Sequence, residues 1–290
     1  MFSTVYNYPS ALQIDPIEKK PLYHFLPGSS VLSIGTVGCN YRCSFCQNYH
    51  LSQTFTPSSN TFLSPQQLVQ LALLNDCQAI AFTYNEPTIW GEYACDIAKE
   101  AKQNGLATIY VTNGSMTEEH LQYIHPYIDA MNIDLKSWRE KFYRKVCQGE
   151  LEAVKKTIER AWKIGFWIEL TTLLIPQEND DHKDLEELSQ FIASISTSIP
   201  WHISAFHPDY KMMDKSSTSL DSLQQAYTIG KKNGLNYIYL GNVDSSFSNT
   251  RCPNCNYMLI QRKWNRIIEN NCLGVCPKCG QSISGKWKKE

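Results

Sequence analysis

No apolar run in this chain approaches the roughly 18 residues that a membrane-crossing helix needs, which excludes that kind of membrane protein. The opening, MFSTVYNYPSALQID, has neither the basic nor the apolar segment of a secretory leader, so the expectation is a cytoplasmic protein. An excess of charge of either sign is also missing. The 27 Lys and Arg against 28 Asp and Glu leave a net charge of −1, which rules out a globally basic nucleic-acid binder. Internal repeats and low-complexity tracts are absent. A 42% hydrophobic content with 19% charged residues is globular, and 290 residues fit one large domain plus a small module.

Cysteine is what the chain has in excess. There are eleven, an odd number, and eight crowd into two short stretches. A disulfide scaffold would be shorter, secreted and more evenly studded. Close-spaced thiols in a chain without an export signal point to metal.

Seven β-branched, apolar segments read as buried strands: 31–37, 79–84, 107–112, 131–135, 166–175, 201–206 and 237–240. Helical stretches alternate with them. Ser64-Pro65 opens one, and Gly105, Gly165 and Gly234 stand where helix C-caps belong. This alternation predicts parallel βα units, in a barrel or a doubly wound sheet. A polar linker, Asp244–Asn249, precedes a change in composition. Residues 251–290 carry eight basic side chains against two acidic, and the rest of the chain is net −7. The expected division is an N-terminal extension (1–30), an α/β body (31–243) and a C-terminal module (250–290).

Cys39, Cys43 and Cys46 follow the first strand as C-x3-C-x2-C. Three thiolates on one loop suit three irons of a [4Fe–4S] cluster and leave the fourth iron open. No fourth cysteine follows within thirty residues. The loop, with Phe45 before its last cysteine, resembles the radical S-adenosylmethionine (SAM) superfamily. That resemblance implies a partial (β/α)6-type barrel and a cluster whose open iron binds SAM. It also implies reductive cleavage of SAM to a 5′-deoxyadenosyl radical, with Phe45 near the adenine. Flavodoxin or ferredoxin would then be the electron donor.

Later strand ends carry further likenesses. Thr83-Tyr84-Asn85-Glu86-Pro87 is similar to the superfamily's Gly-Gly-Glu-Pro element, which implies that Glu86 holds the SAM amino group, although both glycines are replaced. Asn113 in Thr-Asn-Gly, Asp134 and Lys136 in Asp-Leu-Lys, and His207 resemble the pyruvate formate-lyase activating enzyme branch, where such residues contact SAM. Taken alone, Asn113-Gly114 reads as a turn, and Asp134 and Lys136, on one face of a strand, either point into the barrel mouth or form a rim salt bridge. The activases carry an acidic cation ligand just before Thr-Asn-Gly; here that residue is Val111.

The segment Asp15–His24, the stretch Trp201–Pro208 and the cysteine tail together resemble the AmmeMemoRadiSam-system radical SAM enzymes over residues 12 to 287. The resemblance implies Memo-like and AMMECR1-like partners, without naming a substrate or a catalytic side chain. Asp15–His24 is either a solvated lead-in or a strap across the barrel that offers Lys19, Lys20 or His24 to substrate.

In the tail, Cys252-x2-Cys255 and Cys276-x2-Cys279 make the two knuckles of a zinc ribbon. Zinc is favoured; iron in a rubredoxin-like site, or an auxiliary cluster using Cys272, are the alternatives. The basic charge with Tyr257, Trp264 and Trp287 reads as a solvated or docked face rather than a nucleic-acid site. Cys77 and Cys95 read as core, and Cys147 as core or a free thiol near the mouth. The expectation is therefore a radical SAM enzyme, an oxidoreductase in the broad sense. A glycyl-radical-enzyme activase and a non-catalytic metal- or RNA-binding protein are its rivals.

Overall fold

The computed structural model describes residues 3–56 and 61–287; Lys288, Lys289 and Glu290 of the basic tail lie outside the described residues. An eight-stranded sheet runs in chain order from β1 to β8. Its first strand, β1 (Ala11–Pro16), pairs antiparallel with β2 (Ser30–Gly35). The remaining strands, β3 (Ala79–Phe82), β4 (Ala107–Thr112), β5 (Ala130–Asp134), β6 (Trp167–Leu174), β7 (Trp201–Ala205) and β8 (Ile238–Gly241), continue in parallel from β2. All seven expected strands are present, and the α/β class with a radical SAM-type barrel holds. The antiparallel β1 was not expected. The outermost strands, β1 and β8, are not paired with each other, so the barrel is open along one side.

Period-two alternation sorts each strand into two faces. One set, including Ile80, Phe82, Tyr110, Met131, Ile133, Ile168 and Leu170, packs outward against the helices. These are α1 (Pro65–Leu74), α2 (Gly91–Gln103), α3 (Glu118–Ile124), α4 (Leu151–Ile164), α5 (His182–Ile195) and α6 (Leu220–Lys232). Ser64 caps α1 through a reciprocal pair, Gln67 N–H to Ser64 Oγ and Ser64 N–H to Gln67 Oε1. Gly165 ends α4 at φ +100°, a conformation that residues with a Cβ avoid.

The inward set includes several small and polar residues, and the lower barrel is filled by chain rather than by side chains alone. Ile17, Leu22 and Phe25 pack there against Val31, Ala79, Ala81, Ile109, Ala130 and Trp167. A backbone inside a barrel must find partners for its N–H and C=O groups. Glu169, fully buried on β6, supplies the main one. Its carboxylate accepts from Tyr23 N (2.9 Å), His24 N (2.8 Å) and Trp167 Nε1 (3.1 Å). It also sits 2.7 Å from His202 Nε2. Burial alone would raise the Glu169 pKa, but His202 and the other donors hold it below the usual carboxylate value, so the acid is ionised and His202 donates. Asn132 Nδ2 donates to Pro21 O at 2.8 Å.

After β8 the chain forms a second, three-stranded sheet of β9 (Thr250–Arg251), β10 (Met258–Lys263) and β11 (Arg266–Asn270), in the order β11-β10-β9. It grips the strap from below. The fully buried Arg262 donates to Tyr23 O (2.9 Å) and to Thr250 Oγ1 (2.8 Å), and its guanidinium stands 4.1 Å from the Tyr23 ring centre. Thr250 Oγ1 lies 3.0 Å from Tyr239 OH, which lies 2.5 Å from His24 Nε2. His24 Nδ1 donates to Ser284 O at 2.7 Å, which makes Nε2 the acceptor in the neutral ring. His24 therefore lies at the base of the barrel, far from its mouth, and the expectation that it meets substrate is corrected.

Two outcomes follow. Replacing Glu169 with Ala leaves two buried backbone N–H groups and His202 without their acceptor, which costs about 3–5 kcal/mol; urea unfolding measures it, and a loss below about 1 kcal/mol would refute the anchoring role. Burial depresses the His24 pKa to about 4 from 6.5. The unfolded chain then binds the extra proton between these values. Stability is complete above about pH 6.5 and falls as pH drops towards 4, by about 3 kcal/mol from this group. The fall in urea midpoint from pH 7 to pH 5 should be smaller in His24→Asn.

Candidate functional site

The C-terminal ends of the parallel strands surround a cavity of about 320 Å3. Cys39, Cys43 and Cys46 line it together with Phe45, Glu86, Asn113, Asp134 and Lys136. The strand ends thus deliver to one place residues that lie far apart in sequence.

The cysteine loop is built on backbone contacts. Arg42 N and Ser44 N donate to Cys147 O and Val146 O, each at 2.9 Å, within the π-helical turn Tyr143–Cys147. Asn85 Nδ2 holds the start of the loop by donating to Gly38 O at 2.8 Å. Cys147 itself is fully buried with its thiol against Cys43, so it is not a free thiol at the mouth. Cys77 and Cys95 are buried as expected. Burial, and then Glu86, pushes the Cys39 thiol up to about 12; a metal charge must displace its proton.

Glu86 is 2% exposed and fully engaged. It accepts from Thr88 N (3.1 Å), Thr88 Oγ1 (2.6 Å), Thr112 Oγ1 (2.8 Å) and Asn113 N (2.7 Å). In this arrangement its carboxylate clamps the ends of β3 and β4. Asn113 Nδ2 in turn donates to Asn40 Oδ1 at 2.7 Å, beside Cys39. Gly114 lies at φ +77°, where an added Cβ would meet Ile133 at 2.8 Å, so the turn requires glycine.

Lys136 Nζ and Asp134 Oδ2 are 2.6 Å apart. Burial lowers the Lys136 pKa, but Asp134 and the thiols of Cys43 and Cys147 outweigh it, and the ammonium is held well above its usual value. The Lys136 ammonium is 5.7 Å from the centre of the Phe45 ring, which stacks on Phe142 at 6.0 Å. His207 is exposed on the rim, outside the cavity lining, where Nε2 accepts from the Gln47 amide at 2.9 Å.

Of the strap lysines, Lys19 is in the lining and Lys20 is not. Among the lining residues that sequence reasoning missed are Gln47, which follows the cysteine loop, and Tyr84, which has φ +71°. A bulky residue in the left-handed region is an outlier, and here it stands where the family pattern has glycine. That replacement was the one available signal.

The two thiol groups differ in what they can hold. Among the described residues, Cys252, Cys255, Cys276 and Cys279 are the set whose ligand atoms all lie within 4.8 Å of one another. Their closest pairs, Cys252–Cys279 and Cys255–Cys276, are at 3.6 and 3.7 Å. A tetrahedral ion with metal–sulfur bonds of about 2.3 Å wants sulfurs about 3.8 Å apart. Cys272 is buried beside them but outside the set. Cys39, Cys43 and Cys46 line one cavity without meeting that limit. Three thiols opening on one cavity are the donor set that a cluster takes.

The radical SAM superfamily model matches residues 33–191. An uncharacterized protein of Methanocaldococcus jannaschii is 39% identical over 290 residues, covering 98% of this chain and 86% of its own length. A candidate glycyl-radical enzyme activating enzyme of the same organism is 24% identical over 226 residues, covering 75% and 81%. Streptococcus suis SuiB, solved bound to S-adenosylmethionine, matches 78% of this chain and 53% of its own with a TM-score of 0.58 and 13% identity, a likeness of fold. The family match begins in β2 and runs through the cysteine loop, the Glu86 clamp and the Asp134–Lys136 pair into α5, and on that extent the chain belongs to the radical SAM superfamily.

Proposed function

We propose that the chain is a hydrogen-abstracting radical SAM enzyme of the AmmeMemoRadiSam type. The observation that carries this reading is the convergence of three thiols, Asn113 and the Asp134–Lys136 pair on one cavity at the strand ends. The superfamily implies a [4Fe–4S] cluster and SAM, which when bound supply reductive cleavage to methionine and a 5′-deoxyadenosyl radical. Cys39, Cys43 and Cys46 would hold the cluster. Lys136 offers a fixed positive charge for the SAM carboxylate, and Asp134 keeps that ammonium in place. Phe45 provides an apolar surface for the adenine, Asn113 is fixed through Glu86, and Gln47 aims His207 along the rim. Flavodoxin or ferredoxin as electron donor, and Memo-like and AMMECR1-like proteins as partners, complete the proposal.

A second reading, activation of a glycyl-radical enzyme, is favoured by the relative of that description. Val111, which lines the cavity, offers no carboxylate for a cation beside SAM. Supplying a glycyl-radical enzyme and looking for its radical by electron paramagnetic resonance separates the two readings.

The group of Cys252, Cys255, Cys276 and Cys279 we read as a zinc site, on its sulfur spacing. A module of about 40 residues has little core of its own, so the ion would hold Arg262, Ser284 and Lys286 in position against the strap.

In reconstituted protein, exchanging Cys39, Cys43 and Cys46 together for Ala should abolish the cluster spectrum and 5′-deoxyadenosine formation while the fold persists. Retention of a [4Fe–4S] spectrum would defeat the assignment. Asp134→Asn or Lys136→Met should keep the cluster and weaken SAM about ten- to a hundredfold by equilibrium binding, the worth of a charge-assisted hydrogen bond. Unchanged affinity in both would leave the pair a structural one.

For the tail, elemental analysis of anaerobic wild type should find one zinc beside the cluster iron. Cys276→Ala should lose the zinc, keep the cluster, and expose the strap to protease cleavage near residues 17–26. About eight irons without zinc would mean a second cluster instead.

A further inference from the structure

The strap contributes residues to the same cavity, and their chemistry is unlike that of the cysteine loop. Lys19 and Pro21 of the strap line the cavity together with Tyr84, Thr171 and Ser204. Lys19 Nζ lies 2.8 Å from Asp15 Oδ1, and Lys20 Nζ lies 2.9 Å from Asp15 Oδ2. Two ammonium groups therefore share one carboxylate. Tyr84 OH donates towards the same carboxylate at 3.4 Å, and Ser33 Oγ donates to it at 3.2 Å.

The other charges of the lining are accounted for. Asp134 and Lys136 neutralise each other, and Glu86 has all its acceptor contacts with the ends of β3 and β4. At the strap, the two ammonium groups of Lys19 and Lys20 face the single carboxylate of Asp15. Lys20 is sealed in, with its side chain 5% exposed, whereas Lys19 is 51% exposed and free to turn towards a ligand. Tyr84 is held there at φ +71°, above Gly35, where an added Cβ would meet Thr83 O at 2.8 Å and the Tyr84 ring at 2.9 Å. A strained aromatic residue, a glycine that admits it and a lysine that shares its carboxylate with a second lysine meet at the same spot.

Resting on the radical SAM reading of the rim, we propose that this strap-lined floor of the cavity binds the oxyanion of a small acidic substrate, with Lys19 as the charge and Tyr84 as a hydrogen-bond donor. An oxyanion there would give the two ammonium groups a second anionic partner, with Lys19 exchanging part of its contact with Asp15 for the ligand. The strap would then set specificity, because no strand of the barrel supplies a cation at this depth. Carboxylate and phosphate share this chemistry, and they are separated by the probe.

The test uses reconstituted holoenzyme with SAM, titrated calorimetrically with succinate and, separately, with inorganic phosphate. At least one should saturate a single site, and the one that does names the oxyanion. Lys19→Met should weaken that binding about tenfold or more, the usual size of a charge-assisted contact. Lys19→Arg should restore most of it. Asp15→Asn, which frees both ammonium groups, should tighten it, an opposite sign that a purely structural strap would not produce. No saturable binding of either probe to wild type, or equal affinity in wild type and Lys19→Met, overturns the proposal. SAM affinity and the cluster spectrum are read on the same samples. Wild type that holds both yet binds neither probe removes the oxyanion floor alone, whereas wild type that holds neither cluster nor SAM removes the radical SAM reading of the rim.

Discussion

A carboxylate buried in the barrel, Glu169, is the constraint on which the rest depends. An open-sided barrel with several small inward residues cannot close its own base, and a peptide segment laid across it brings polar backbone into an apolar space. Each such group costs free energy unless paired. Glu169 accepts two successive N–H groups of the strap as well as the donors of Trp167 and His202. With those four contacts the acid stays ionised and the strap acquires a single register. Without them Lys19 and Pro21 have no defined height in the lumen.

That register joins two regions that sequence keeps apart. The C-terminal sheet reaches the strap from below through Arg262, Ser284 and Lys286, and the cavity meets it from above through Lys19 and Pro21. The cysteine-bearing C-terminal sheet and the cavity are thus on two sides of one short segment. The chain of contacts is directional: Arg262 donates to Thr250, and the series runs through Tyr239 and His24 to Ser284. Only neutral His24 fits it, which ties the base of the barrel to pH.

Much of this was legible beforehand where local chemistry decides structure. Gly165 and Gly234 sit in left-handed caps, Ser64 makes its reciprocal cap, and the two C-terminal cysteine pairs come together as one group of four. The illegible part was long-range. Nothing in the local pattern of Ala11–Pro16 says that it pairs antiparallel with Ser30–Gly35, and a glutamate in an apolar strand gives no sign of which backbone it will meet. The neighbours of Cys147 are polar and suggest a thiol at the mouth, but the turn that carries it packs under the cysteine loop. His24 is misplaced by local reading for the same reason: its partners are 215 and 260 residues away.

The end of β3 shows how a departure from a family pattern can be compensated in space. Where the pattern has two glycines this chain has Tyr84 and Asn85. Asn85 makes a reciprocal pair with Thr36 and reaches Gly38, so it fastens the entry to the cysteine loop. Tyr84 keeps the left-handed backbone that a glycine would adopt without strain. The space its ring requires is provided across the ladder at Gly35, on the neighbouring strand. The backbone course is therefore preserved while two side chains are added, one turned to the metal loop and one to the floor of the lumen. Glu86, next in sequence, accepts from Thr88, Thr112 and Asn113 and so fixes the ends of both strands. One short stretch thus serves both the cysteine loop and the wall of the same cavity.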